Sequence, residues 1–359
     1  MENNLLSRAE CNALRGLAII GIVLHNYCHW LRHIVRENEY QYFQRNVDGL
    51  LHAVGQPDAL LPIHLLSFFG HYGVPVFLFL SAYGLVMKYE GGGAVAGMAR
   101  REAQDGVPRV PILPFLRVHF LKLFKMMFAG YVTFTFIDAI TPGSFHNHWA
   151  LIMAQLGMVN NLLPNPDDVI WPGPYWFFGL MLQLYVLYRL LLYRRHWGVT
   201  VGLMVACTTA QMICGAESSE LNYLRYNFIG GMLPFGLGLL YARYGKSMKK
   251  NLLAACLLVS LCLTCVFSMS YYSWFFVPLF ILTGSVAFIK VLPASAYGWM
   301  EWVGSLSAAL FVCHPITRKV FIPVSHRGDV YTGLLLYILA SIALAWLFRE
   351  LMKRIPNPR

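Results

Sequence analysis

Apolar stretches of about twenty residues follow one another along almost the whole chain, and they decide what it can fold into. A segment crossing hydrocarbon must satisfy its backbone N–H and C=O groups internally, and for a run of this length the solution is an α-helix. We read about ten such runs, at 14–31, 66–88, 114–138, 174–193, 198–214, 227–243, 252–268, 271–290, 301–321 and 330–349. The expected fold is all-α, a polytopic transmembrane helical bundle. A single unit over residues 1–359, with no soluble C-terminal domain, is expected. The stretch 148–163 is apolar but short and amphipathic, which reads as an interfacial or re-entrant segment. Composition agrees: 57% of residues are hydrophobic and only 13% are charged, where a soluble domain carries about 25% charge.

Short cytoplasmic loops collect Lys and Arg, which sets the orientation. With the N-terminus inside, the cytoplasmic loops hold Lys88, Arg100, Arg101 and Arg109, then Arg194 and Arg195, then Arg243, Lys246, Lys249 and Lys250. The tail adds Lys353, Arg354 and Arg359. The long loop 141–173 on the other face has neither residue type. Arg32, Arg36 and Arg45, and the group Arg318, Lys319 and Arg327, run against the pattern. The balance places both termini in the cytoplasm. The net charge of +11 then belongs to loops, and no nucleic-acid partner is expected. Most of the eight cysteines lie in apolar runs and read as small packing residues. The glycine-rich loop 89–112 matches no phosphate-binding pattern and reads as a flexible connection.

The first run, L-R-G-L-A-I-I-G-I-V-L-H-N-Y-C-H-W from Leu14 to Trp30, keeps Arg15, His25 and His29. Ionisable side chains in hydrocarbon are costly, and they usually face a bundle interior or a water-filled cavity. The alternative is that Arg15 snorkels to one interface while the histidines reach the other. Nine residues separate Arg15 from His25. At about 100° per residue, Arg15 and Asn26 share a helix face, with His29 about 40° and His25 about 80° away.

Four ordered patterns accompany this one. They are F-G-H-Y-G-V-P-V-F-L-F-L-S-A-Y-G-L at 69–85, P-F-L-R-V-H-F-L-K-L-F-K at 114–125, G-P-Y-W-F-F-G-L-M-L-Q-L-Y at 173–185, and S-L-S-A-A-L-F-V-C-H-P at 305–315. Together with 14–25 they resemble the type-3 acyltransferase family of integral membrane proteins, over nearly the whole chain. That family usually places ten residues between the basic residue and histidine of the first span, which here would fall on Asn26. Its common Ser-Gly is Ser81-Ala82, and Met181 and Leu182 stand where members with a long extracellular domain often carry glutamate. The departures point to a stand-alone branch.

The resemblance implies transfer of an acyl group from cytoplasmic acyl-CoA, acetyl-CoA in the first instance, to a hydroxyl of a glycan or lipid-linked sugar outside. The setting is a bacterial-type cytoplasmic (inner) membrane, in contact with its lipids. A hydroxyl needs a base, and histidine titrates in the right range; His25 and His29 both stand as candidates. Arg15 has a donor fork suited to phosphate or a thioester carbonyl. His25 lies about 15 Å further along the helix, and direct transfer without a covalent enzyme intermediate is the simplest scheme. Arg117, Lys122 and Lys125 are candidates for CoA phosphates, or else lipid anchors. Asn26, His71, Trp176, Gln183, Tyr185 and His314 are candidates for the substrate pocket. Asp138, Asp167 and Asp168 are outer-face acids. No permanently bound cofactor and no metal site are expected. The rival reading is a transporter or flippase for a lipid-linked or glycan substrate. It would want broken helices and related halves and has no need of a thioester.

Overall fold

A computed structural model of the chain describes residues 5–91, 111–146 and 148–356. Most of the expected flexible loop 89–112, with Arg100, Arg101 and Arg109, lies outside the described residues, as does Arg359. Among the described residues the protein is all-helical. In chain order the principal helices are α1 (Arg8–Cys28), α2 (Gln44–Gly55), α3 (Leu61–Phe69), α4 (Gly73–Tyr89) and α5 (Ile112–Ala139). Next come α6 (Trp149–Leu156), α7 (Trp176–Leu187), α8 (Trp197–Ile213), α9 (Ser219–Tyr226) and α10 (Phe228–Tyr244). The series ends with α11 (Lys250–Phe267), α12 (Val277–Val291), α13 (Ala294–Ser305), α14 (Ser307–His326) and α15 (Val330–Arg354).

Each expected span is mostly helical, though not always as one unbroken helix. Among the described residues, five stretches are long and apolar enough to cross a membrane by themselves: Leu61–Tyr89, Ile112–Ala139, Gly173–Leu192, Lys250–Phe267 and Val330–Arg354. Two shorter apolar helices, Trp197–Ile213 and Val277–Val291, accompany them. On α5 and α11 the outward faces carry Phe128, Val132 and Phe136, and Leu258, Leu261 and Val266, all exposed. A soluble protein would put charge there; a lipid-facing helix puts hydrocarbon. The chain's one C-x-x-C spacing, Cys262 to Cys265, falls on this face of α11, with both thiols exposed.

Some expectations need correction. The run 301–321 is not one helix: it breaks at Leu306, between α13 and α14. The run 271–290 is a single turn at Tyr271–Trp274 followed by α12. Two helices were not anticipated, α2 and α9. Each is too short and amphipathic for a search tuned to long apolar runs, and each buries only a few residues, such as Val47 and Leu50 or Leu221 and Tyr226. The segment 148–163 is held against the bundle by Asn161, whose Nδ2 donates to the carbonyls of Trp176 (2.8 Å) and Tyr226 (2.6 Å).

α1 lies at the centre, packed against α3, α4, α12, α13, α14 and α15. Its start is fixed by a capping box, with Ser7 and Glu10 exchanging side-chain and backbone hydrogen bonds that satisfy otherwise orphaned donors. Glu10 also holds Lys290 of α12 at 2.9 Å. Against α13 the backbones nearly touch: a Cβ on Gly304 would collide with the Asn12 carbonyl, and one on Gly16 with the Met300 carbonyl. Gly304→Leu is therefore expected to destabilise the protein by about 1–3 kcal/mol or more. The check is a lowered thermal midpoint in detergent.

Near the same end of the bundle, where Leu5 packs beside Gly245, Glu90 and Arg243 form a buried, two-pronged ion pair. Arg243 Nη2 lies 2.6 Å from Oε1 and Nε 2.9 Å from Oε2, and Tyr188 donates to the same carboxylate at 2.9 Å. The pair ties α4 to α10, and Arg243 also reaches the Leu192 carbonyl at 2.8 Å.

Candidate active site

Between Phe69 and Gly73 the chain makes a short 3-10 turn, Gly70–Tyr72, which brings His71 and the Ser67 carbonyl against α1. Gly70 permits this approach, since a Cβ there would meet His25 Cβ at 2.6 Å. His25 Nδ1 lies 2.8 Å from the Ser67 carbonyl oxygen. A carbonyl only accepts, so the neutral ring carries its proton on Nδ1 and keeps the Nε2 lone pair free. Nε2 faces Glu37 Oε1 and Glu39 Oε2, each at 3.9 Å. His29, one turn on, donates from Nδ1 to Glu37 Oε1 at 3.1 Å. The His25 ring lies 4.8 Å from that of His29 and 5.6 Å from that of His71.

These groups open on a cavity of about 300 Å³ whose walls include Asn26, Trp30, Tyr40, Asp167, Trp171, Trp176, Tyr226 and Arg318. Tyr226 and Asn222 donate to Asp167, the latter at 2.6 Å, and Tyr40 stacks on Tyr226 at 4.0 Å. Arg318 is buried, donates to the Asn26 carbonyl (3.3 Å) and side chain (3.4 Å), and lies over the Trp30 ring. Neither ring nitrogen of His71 has a hydrogen-bond partner among the described residues.

The two loop carboxyls are unlike. Burial alone would push Glu37 up, but the His29 and His25 rings outweigh it and hold Glu37 below the usual carboxylate range. Burial, reinforced by the Glu37 charge, pushes Glu39 up to about 8 against the opposing Arg225 guanidinium. At neutral pH an ionised carboxylate thus stands beside a protonated one. Glu39 binds its proton more tightly folded than at its ordinary value of 4.5, so the native state holds more protons than the unfolded chain between about pH 4.5 and 8. Its contribution to stability therefore falls as pH rises through that window. Raising the pH from 6 to 9 is expected to lower the thermal midpoint of the wild type more than that of Glu39→Gln.

A second cavity, of about 240 Å³, lies nearer the start of α1. It is lined by Arg15 and Lys122 and otherwise mainly by apolar residues, including Phe77, Met126 and Phe178. Ile22 and Phe311 line both cavities. Arg15 is hydrogen-bonded to Asn12 at 3.0 Å.

The expected site residues thus divide. His25, Asn26, His29, His71 and Trp176 share the larger cavity, and Arg15 and Lys122 the smaller. Arg117 is exposed, and Lys125 donates to the Met352 (2.9 Å) and Ile355 (2.6 Å) carbonyls at the end of α15. Gln183 braces α7 to α10, donating to Asn227 (2.7 Å) and accepting from the Phe228 N–H (2.9 Å). Tyr185 pairs with Ser81 at 3.3 Å. His314 is buried against the Leu310 carbonyl, one turn from Phe311. Asp138 is paired with Lys319 at 2.8 Å.

Glu37, Glu39 and Arg318 escaped sequence reasoning as site residues. The spacing of His314 and Arg318, one helical turn apart, was the available signal for the arginine; E-N-E in an otherwise basic loop was that for the acids. The donor atoms of His25, His29 and Glu37 lie within 4.8 Å of one another, a spacing at which they could hold a metal ion.

The sequence model of the acyltransferase 3 family, an acyltransferase domain, matches residues 8–350. No curated protein and no solved structure matches the chain. The match covers nearly the whole chain, and the protein belongs to this family of acyltransferases.

Proposed function

We propose that this member of the acyltransferase 3 family moves an acyl group, acetyl in the first instance, from cytoplasmic acyl-CoA to a hydroxyl of a cell-surface glycan or related envelope acceptor. It works in the cytoplasmic membrane of a bacterial-type cell with both termini inside. The observation that carries this reading is the pair of cavities on α1. One has Arg15 and Lys122 at its wall, the other His25 with Glu37 and Glu39, and Ile22 and Phe311 line both.

In this reading Arg15 and Lys122 attract the donor's phosphates, and the apolar wall of the smaller cavity accepts its arm. The acceptor enters the larger cavity, where Trp30, Trp171, Trp176 and Tyr40 offer flat apolar faces and Asp167 and Glu39 offer hydrogen bonds, a lining suited to a sugar. His25 Nε2 takes the proton from the acceptor hydroxyl as its oxygen attacks the thioester carbonyl. The C–S bond breaks, and the imidazolium returns the proton to the departing thiolate. Glu37, ionised beside both rings, stabilises the transient imidazolium. No bound cofactor is required.

The test is alkali-labile acyl content of envelope glycans, measured by mass spectrometry in a strain lacking the gene and in one with the gene restored. Loss on deletion and return on restoration is the expected result. Unchanged esters together with no binding of acyl-CoA by the purified protein would overturn the reading in favour of transport.

A further inference from the structure

Ile22 and Phe311 are the residues common to both cavities. Ile22 is buried on α1, three residues before His25, so the two side chains lie on one helix face. Phe311 reaches across from α14 and is wedged among the rings of Phe177 (5.1 Å), Phe178 (5.9 Å) and His314 (5.9 Å). Neither is free to swing away: Ile22 is backed by Gly73 of α4, where a Cβ would meet Ile22 Cγ1 at 2.8 Å. Both side chains are apolar, standing between a chamber with Arg15 and Lys122 at its wall and one rich in carboxylates and imidazoles.

We propose that Ile22 and Phe311 form the acyl-size selector of the enzyme, the apolar pair that flanks the thioester and decides which acyl groups can bring their carbonyl to His25. The inference rests on the acyl-transfer reading above. A donor whose phosphates sit with Arg15 must pass its acyl end between these two side chains before the carbonyl lies within reach of His25 Nε2. Small acyl groups pass; added methylenes must displace packed rings. In a tight apolar site one methylene more or less changes selectivity about 10–200-fold, so truncating either residue should be read directly in product identity.

The experiment supplies an equimolar mixture of acetyl-CoA and butyryl-CoA to membrane vesicles from cells producing the full chain. The native membrane material serves as acceptor, and acetyl and butyryl esters are counted by mass spectrometry. The ratio of the two products is independent of how much folded protein each variant yields. Ile22→Ala and Phe311→Leu are each expected to raise the butyryl-to-acetyl ratio at least tenfold, and Ile22→Phe to lower it. Ile22→Val, one methyl smaller, carries the same comparison should Ile22→Ala fail to reach the membrane, with a shift in the same direction. Normal acetyl transfer with the ratio moved less than twofold in every variant overturns the selector and leaves the acyl-transfer reading standing. Absence of both esters from wild-type vesicles brings down that reading and the selector with it.

Discussion

Alanine at position 25 is expected to cut acyl transfer by about 10²–10⁴-fold, the range in which a positioned general base contributes. Acyl-CoA binding and the amount of protein in the membrane should stay close to wild type. The reason is geometric: Nδ1 is committed to the Ser67 carbonyl, so Nε2 is the ring's reactive nitrogen, and it points at Glu37 and Glu39. His29 differs, since its Nδ1 is held by Glu37 and its ring lies further from Ile22 along α1. Alanine at position 29 should therefore cost less than alanine at position 25. The measurement is ester formation in cells lacking the gene and carrying each variant at matched membrane levels. Transfer undiminished by His25→Ala, or a larger loss at position 29, would assign the base to His29.

The second large effect falls on stability. Glu90→Ala is expected to destabilise the protein by about 3–5 kcal/mol, because removing one member of a buried pair leaves the other's charge uncompensated. Both side chains are about fully buried, and the carboxylate takes two bonds from Arg243 and one from Tyr188. Replacing both partners by apolar residues, Glu90→Met with Arg243→Leu, should recover much of the loss. Denaturation in detergent followed by tryptophan fluorescence would show it. Equal stability of Glu90→Ala and wild type would mean that the pair is already hydrated.

Much of the architecture was legible because hydrocarbon leaves a chain so few choices: each apolar run is mostly helix, some of them in pieces. The ends and breaks were less so. Leu306, between α13 and α14, carries no local signal, since the neighbouring Ser and Gly residues are compatible with helix or turn. Within the site, Arg15, His25 and His29 announced themselves by being ionisable inside an apolar run. Arg318 and Lys319 did not, having been counted as loop charges that broke the topology rule. That rule concerns charges left free in loops, whereas Arg318 is turned inward onto Asn26 and Lys319 is paired with Asp138. Glu37 and Glu39 were hidden for a different reason. They lie in an irregular segment with no periodicity, and only the tertiary fold brings them to His25. Gln183 and Lys125 show the converse: residues of the right chemical type, used by the fold to tie helices together.

Gly16 and Gly304 bring the backbones of α1 and α13 together with no space for a side chain between them. On the unbroken α1, Arg15 and His25 stand at the two ends of a ruler about 15 Å long. A donor held by its phosphates at one mark presents its reactive carbon at the other only if its arm has the matching length. In the acyl-transfer reading, the choice of donor would then be metric as well as chemical. Truncated thioesters without a nucleotide would be held at one end alone, and a carrier with a longer reach would overshoot His25.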